Sequence, residues 1–196
     1  LLPLYPQEYP PMTSLTIQKL SMAAAASALL FCLSAPAFAA GSDSGDAPAA
    51  TETTTKCKHG DVWDKKQKKC VKPDKASMND TQLFEAAREL AYAGQYQNAI
   101  NVLKVAANQN DPRILNYMGF ANRKAGRVDL AMTYYKKALA IDANYLLARS
   151  YMGQGLIVQG KVEEARAQLI EIRDRGGKDT YAYHALYDAL KRNQTY

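Results

Sequence analysis

The chain has 196 residues, with 25 Lys and Arg against 19 Asp and Glu, two histidines and three cysteines. That length holds one ordinary domain with an appended tail, and the two histidines, His59 and His184, leave a thin inventory for catalysis. The net charge of +6 is local. Residues 40–55 carry acids and no bases, whereas residues 56–75 carry eight lysines against three aspartates.

Residues 1–11 show no targeting pattern, and they are read as a spurious upstream extension ahead of Met12. Residues 12–39 have the layout of a secretory signal peptide: Lys19, an Ala-rich apolar run from Leu20 to Phe38, and the small-residue pair Ala37 and Ala39 before the expected cut. Serines and Pro36 make that run too weakly apolar to remain as a stable span, and no later stretch approaches spanning length. Cys32 leaves with this leader. Export to the periplasm or outside the cell is the expected localisation, with no membrane span after signal removal.

Residues 40–56 contain no large apolar side chain and are read as a disordered linker, unable to bury enough surface to offset the entropy of ordering. Residues 57–70 form a Cys-bounded loop. In an exported chain a Cys57 to Cys70 disulfide is favoured over a zinc site, because Cys57, His59 and Cys70 are one ligand short of a closed tetrahedral shell. The run Cys-x-x-Gly-x-Val-Trp-Asp resembles a fragment of peritrophin-type chitin-binding modules. By that resemblance Trp63 is a candidate glycan contact, set against the plainer role of hairpin core. Residues 71–78 are a polar spacer.

From Asn79 the texture changes to helical patterns punctuated by glycine. Gly94, Gly126 and Gly160 are followed five residues later by Ala99, Ala131 and Ala165, and both series are spaced by 32 and then 34 residues. Each glycine suits the left-handed conformation that ends a helix, and each alanine admits close approach of a second helix. Met118-Gly119 and Met152-Gly153 place a large and a small residue at the crossing of the two helices, as Ala86-Ala87 does in the first unit. Leu103, Tyr135 and Leu169 are read as inward-facing. Ala106 and Ala138 supply a later small residue, for which Arg173 stands in the third unit.

This pattern resembles the tetratricopeptide repeat, a pair of antiparallel helices of about 34 residues. The fold implied is all-α: an antiparallel helix-hairpin solenoid over residues 79–193, of about three repeats and a capping helix that starts at Asp179 or Thr180. Leu83, Leu115 and Arg149 stand where the family commonly has an aromatic residue, and Pro112 marks one junction between units. Three repeats are near the minimum for independent stability, so a homodimer or reliance on a partner is expected.

The resemblance implies a partner-binding groove lined by the first helix of each unit. Its candidates are Arg88 and Tyr92, then Asn116, Tyr117, Phe120 and Arg123, then Ser150, Tyr151 and Gln154. The lysine and asparagine set with which the family clamps peptide C-termini is not reproduced. A protein or peptide partner is expected. The alternative is a cell-wall glycan held by Trp63 and the lysines.

An enzyme is not expected, nor a cofactor, a metal or a nucleic-acid partner. His184, among Tyr181, Tyr183 and Tyr187, is read as a half-buried packing residue. Gly153-Gln154-Gly155 lacks the strand and third glycine of a phosphate loop.

Overall fold

The computed structural model describes residues 47–192. The upstream extension, the signal peptide and the start of the linker, residues 1–46, lie outside the described residues. Among those described are eight α-helices, a π-helical turn and one two-stranded antiparallel sheet. No helix among them is long and apolar enough to cross a membrane.

Three helix hairpins follow one another: α2 (Asp80–Tyr92) with α3 (Tyr96–Leu103), α4 (Pro112–Lys124) with α5 (Val128–Ile141), and α6 (Leu146–Val158) with α7 (Val162–Ile172). A last helix, α8 (Tyr181–Arg192), packs on α6 and α7. Start signals are local. Asn79 and Gln82 exchange side-chain to backbone hydrogen bonds of 2.9 and 3.0 Å in a capping box, and Asp111 accepts from the Arg113 amide at 2.8 Å with Pro112 opening α4.

The stop signals repeat three times. Gly94, Gly126 and Gly160 have φ of 78°, 82° and 75°. In each case the amide after the glycine donates five residues back, Gln95 to Leu90 at 2.8 Å, Arg127 to Asn122 at 2.9 Å and Lys161 to Leu156 at 2.9 Å. This is the Schellman closure, which satisfies carbonyls that a helix end leaves open.

Ala99, Ala131 and Ala165 are fully buried beneath these turns. Small residues at the helix crossings have a direct reason. A Cβ on Gly119 would lie 2.5 Å from the Tyr135 ring, and one on Gly153 would lie 2.6 Å from Leu186 of α8.

In the third unit the residue that succeeds Ala106 and Ala138 is Ile172, which is fully buried, and not Arg173, which is exposed. Helical spacing assigns the position seven residues after Ala165. Arg173 instead opens the π-helical turn Arg173–Gly177, where Gly176 takes φ 78° and Gly177 packs against Leu146 and Ile172. Thr180 then accepts from the Tyr183 amide at 3.3 Å and starts α8.

Ahead of the repeats lies a small N-terminal unit of α1 (Glu52–Thr55), β1 (Val62–Asp64) and β2 (Lys69–Val71). Register pairs Val62 with Val71, Trp63 with Cys70 and Asp64 with Lys69, and Cys57 is bonded to Cys70. The end of the span read as disordered linker is therefore ordered. With no apolar anchor of its own, it is held by polar groups: the Glu89 carboxylate of α2 accepts from the Thr51 amide and hydroxyl, both at 2.7 Å, and from the Thr54 amide at 3.2 Å. Val62, fully buried, and Met78 join the hydrophobic core of the repeats.

Candidate partner-binding surface

The first helices α2, α4 and α6 turn one face toward each other, and rings dominate it. Phe84 meets Tyr117 edge-on at 5.3 Å, Tyr92 stacks on Phe120 at 5.5 Å, and Phe120 lies 4.9 Å from Tyr151. Tyr117 is 5.7 Å from Phe120 and 6.4 Å from Tyr151. Rings from three successive units thus form one connected row, in the edge-to-face and offset geometries favoured by aromatic quadrupoles.

Polar tips join the row across units. Arg88 donates to the Tyr117 hydroxyl at 3.0 Å, the Tyr92 and Tyr151 hydroxyls are 3.0 Å apart, and Arg123 donates to the Gln154 side-chain oxygen at 3.0 Å. Of the nine candidates from sequence, Arg88, Tyr92, Tyr117, Phe120, Arg123, Tyr151 and Gln154 are brought together in this way. Asn116 points to a different partner, donating to the Tyr145 hydroxyl at 3.1 Å, and Ser150 is buried one turn before Gln154. Only Arg88 and Tyr92 among the nine are half-buried; the other seven are buried.

Cations decorate the ring faces. Arg113 lies 5.1 Å from the Phe84 centroid and Arg88 5.6 Å from that of Tyr92, while Arg123 lies 5.7 Å from Phe120 and 5.8 Å from Tyr151. Lys124 is 6.0 Å from Phe120. Such cation–ring contacts are worth roughly 0.5–2 kcal/mol depending on desolvation.

Burial, then the neighbouring phenols Tyr117 and Tyr92, hold the Tyr151 hydroxyl well above the usual tyrosine range, so it stays a neutral hydrogen-bonding group. Burial and the adjacent Arg123 lower the Lys124 ammonium from its ordinary value.

Phe84, Arg113 and Lys124 belong to the same face without being among the candidates from sequence. Their signal is present in the helical spacing. Phe84 precedes Arg88 by one turn, Arg113 precedes Asn116 by three residues, and Lys124 follows Phe120 by four, so all share the face already assigned.

The N-terminal unit presents Trp63 half-buried, with the Lys56 ammonium 5.2 Å from the indole centroid. Its deepest side chain is Val62 rather than the tryptophan. Cys57 and Cys70 are tied up in their disulfide, and among the described residues no group of three or more His, Cys, Asp or Glu side chains is placed to hold a metal ion. His184 is exposed, contrary to the half-buried position expected, because α8 turns Ala182, Leu186 and Ala189 inward and leaves His184 edge-on to Tyr183 at 5.8 Å.

No curated protein and no solved structure matches the chain. Residues 122–190, from the last turn of α4 into α8, match the family model described as tetratricopeptide repeat, a family that generally serves as a non-catalytic protein–protein interaction module. Packed helix hairpins and three recurrent glycine closures agree with this match, which supports a tetratricopeptide-repeat array over residues 122–190.

Proposed function

We propose that the protein is an exported interaction module that holds a segment of another protein against the shared face of α2, α4 and α6. The observation that carries this reading is the row of five rings, Phe84, Tyr92, Tyr117, Phe120 and Tyr151, bordered by arginines from two units. Aromatic and arginine side chains combine large contact area with polar tips, and they dominate the energetics of protein interfaces. The export half rests on the leader-like pattern of residues 12–39. The Cys57–Cys70 disulfide is in keeping with an oxidising compartment.

A photo-crosslinking amino acid placed at Tyr92, and separately at Lys66 of the hairpin, tests the surface in the native compartment. A discrete partner captured from position 92, and lost when Arg88→Ala is added, is the expected result. Capture from position 66 alone, with retention on insoluble glycan that disappears in Trp63→Ala, would replace the groove with the hairpin as the binding element. Sedimentation of the purified chain tests the homodimer: a concentration-dependent dimer would make a second copy the partner.

A further inference from the structure

The turn between β1 and β2 and the first residue of β2 carry four lysines, Lys65, Lys66, Lys68 and Lys69, all exposed. Among the described residues none of the four forms an ion pair. Residues 65–69 hold no acid. The adjoining carboxylate, Asp64, is buried and engaged with the turn itself: it accepts from the Lys66 amide at 2.7 Å, the Gln67 amide at 3.0 Å and the Gln67 side-chain nitrogen at 2.7 Å. Asp64 therefore shapes the turn and clasps no lysine ammonium.

The turn is also constrained and carried away from the repeats. The Cys57–Cys70 disulfide ties β2 to the start of the loop. The other end of the hairpin is fixed, with Val62 in the core and Gly60 against the Asn98 side chain of α3. The turn begins three residues beyond Val62, about 10 Å along an extended strand. Lys68 holds φ 50°, a left-handed conformation that glycine adopts at lower cost. A lysine there sets charge at the tip against the preference of the backbone, the kind of local strain that accompanies functional positions.

We propose that this hairpin tip docks the protein on an anionic lipid bilayer, its four lysines facing the lipid phosphates. The inference goes beyond the groove reading and stands without it. A projecting turn is convex and meets a flat surface along its whole tip. Residues 47–78 contain no arginine, the side chain whose fork reads individual phosphates, whereas lysine point charges suit a diffuse negative field. Stacking of nucleic-acid bases needs open aromatic faces, and the tryptophan of this unit, Trp63, is half-buried with Lys56 over its ring. Residues 65–69 offer no apolar side chain to insert, so the contact is electrostatic and salt-sensitive.

Trp63 is the only tryptophan of the chain, which makes it a reporter for the hairpin. The full chain is titrated with vesicles of equal parts phosphatidylglycerol and phosphatidylcholine carrying dansyl-labelled headgroups, and energy transfer from Trp63 is read. Transfer is expected on these vesicles, absent on pure phosphatidylcholine, and abolished by about 0.5 M salt. Lys65→Gln, Lys66→Gln, Lys68→Gln and Lys69→Gln together should weaken partition at least about 100-fold, since each lysine near such a surface contributes roughly fivefold. The same four positions changed to Arg should retain it. An unaltered Trp63 emission spectrum without lipid shows that the hairpin of each variant is folded.

Equal transfer on pure phosphatidylcholine, or transfer that survives the four Gln substitutions, would overturn the proposal. Vesicle cosedimentation without transfer from Trp63 would place the bilayer contact elsewhere in the chain and equally refute it, as would no binding to either vesicle. If a sulfated polysaccharide or a single-stranded oligonucleotide of matched charge stripped the protein from the vesicles through the same lysines, a soluble polyanion would replace the bilayer as the partner. None of these outcomes bears on crosslinking from position 92, so the groove and the tip stand or fall separately.

Discussion

Glycines that look alike in the sequence do different physical work. Gly126 has φ 82° and an added methyl would find nothing within 4 Å, so Gly126→Ala should cost about 1–2 kcal/mol, from the left-handed backbone alone. Gly119 is helical, and its added methyl would meet the Tyr135 ring, so Gly119→Ala should cost about 1–3 kcal/mol through overpacking. Urea unfolding of a double variant with Tyr135→Leu separates the two. The smaller side chain should rescue Gly119→Ala and leave Gly126→Ala unchanged; equal rescue would contradict the assignment.

Asp111 supplies the pH dependence at this scale. Burial pushes its carboxyl up, but hydrogen bonds and charge from Arg113 outweigh that, and the net position is below the usual carboxylate value of 3.8. A depressed folded value means the carboxylate's contribution is fully present above pH 3.8 and is lost as pH falls through the folded value. Asn also caps helices but does not titrate. Between pH 5 and about pH 2 the wild type should therefore lose melting temperature more steeply than Asp111→Asn. Parallel curves would refute the role given to this cap.

Among elements, the N-terminal unit is the most separable. Its attachments are the Thr51 and Thr54 bonds to Glu89, the burial of Val62, and the close approach of Gly60 to the Asn98 side chain of α3, from which an added methyl would sit 3.0 Å away. A disulfide closing a loop of this size stabilises by on the order of 3 kcal/mol in the loop-entropy account. Reduction should accelerate amide exchange across residues 52–71 while α4 to α8 keep their protection. Uniform acceleration through the repeats would mean that the hairpin and the array unfold as one unit.

Arg149 shows how an element absorbs a departure from the family pattern. Its guanidinium donates to the Ala143 carbonyl at 2.9 and 3.1 Å and to the Gln168 side chain at 3.1 Å, tying the loop before α6 to α7. A polar clasp thus occupies a place where an aromatic residue commonly packs. Its sequence signal was only the mismatch.

At the scale of the whole molecule, each hairpin buries what the next one covers, and α8 closes the series. Leu186 is fully buried and fills the space that Gly153 leaves open on α6. Leu186→Ala should cost about 2–5 kcal/mol. The loss should appear first as exchange in α6 to α8, since contacts in a repeat array are between neighbours. Equal loss in α2 and α3 would show instead that the array is fully cooperative.

The sequence by itself determined the repeat: helix stops need a left-handed glycine and tight hairpins need an alanine, so local chemistry wrote a period that could be read directly. It also carried the residue types of the shared face: the repeat resemblance implies a groove containing Arg88, Tyr92, Tyr117 and Phe120, and spacings of four and three residues put each pair on one side of its helix. Tertiary structure decided what each side chain on that face touches. That Arg123 is buried among neutral partners, that Asn116 turns to Tyr145, and that threonines without an apolar anchor are ordered by Glu89 all depend on groups 12 to 38 residues away in sequence. Periodicity fixes which face a residue occupies, but hydrogen-bond partners and burial follow from how neighbouring helices pack, and that is a property of the assembled array.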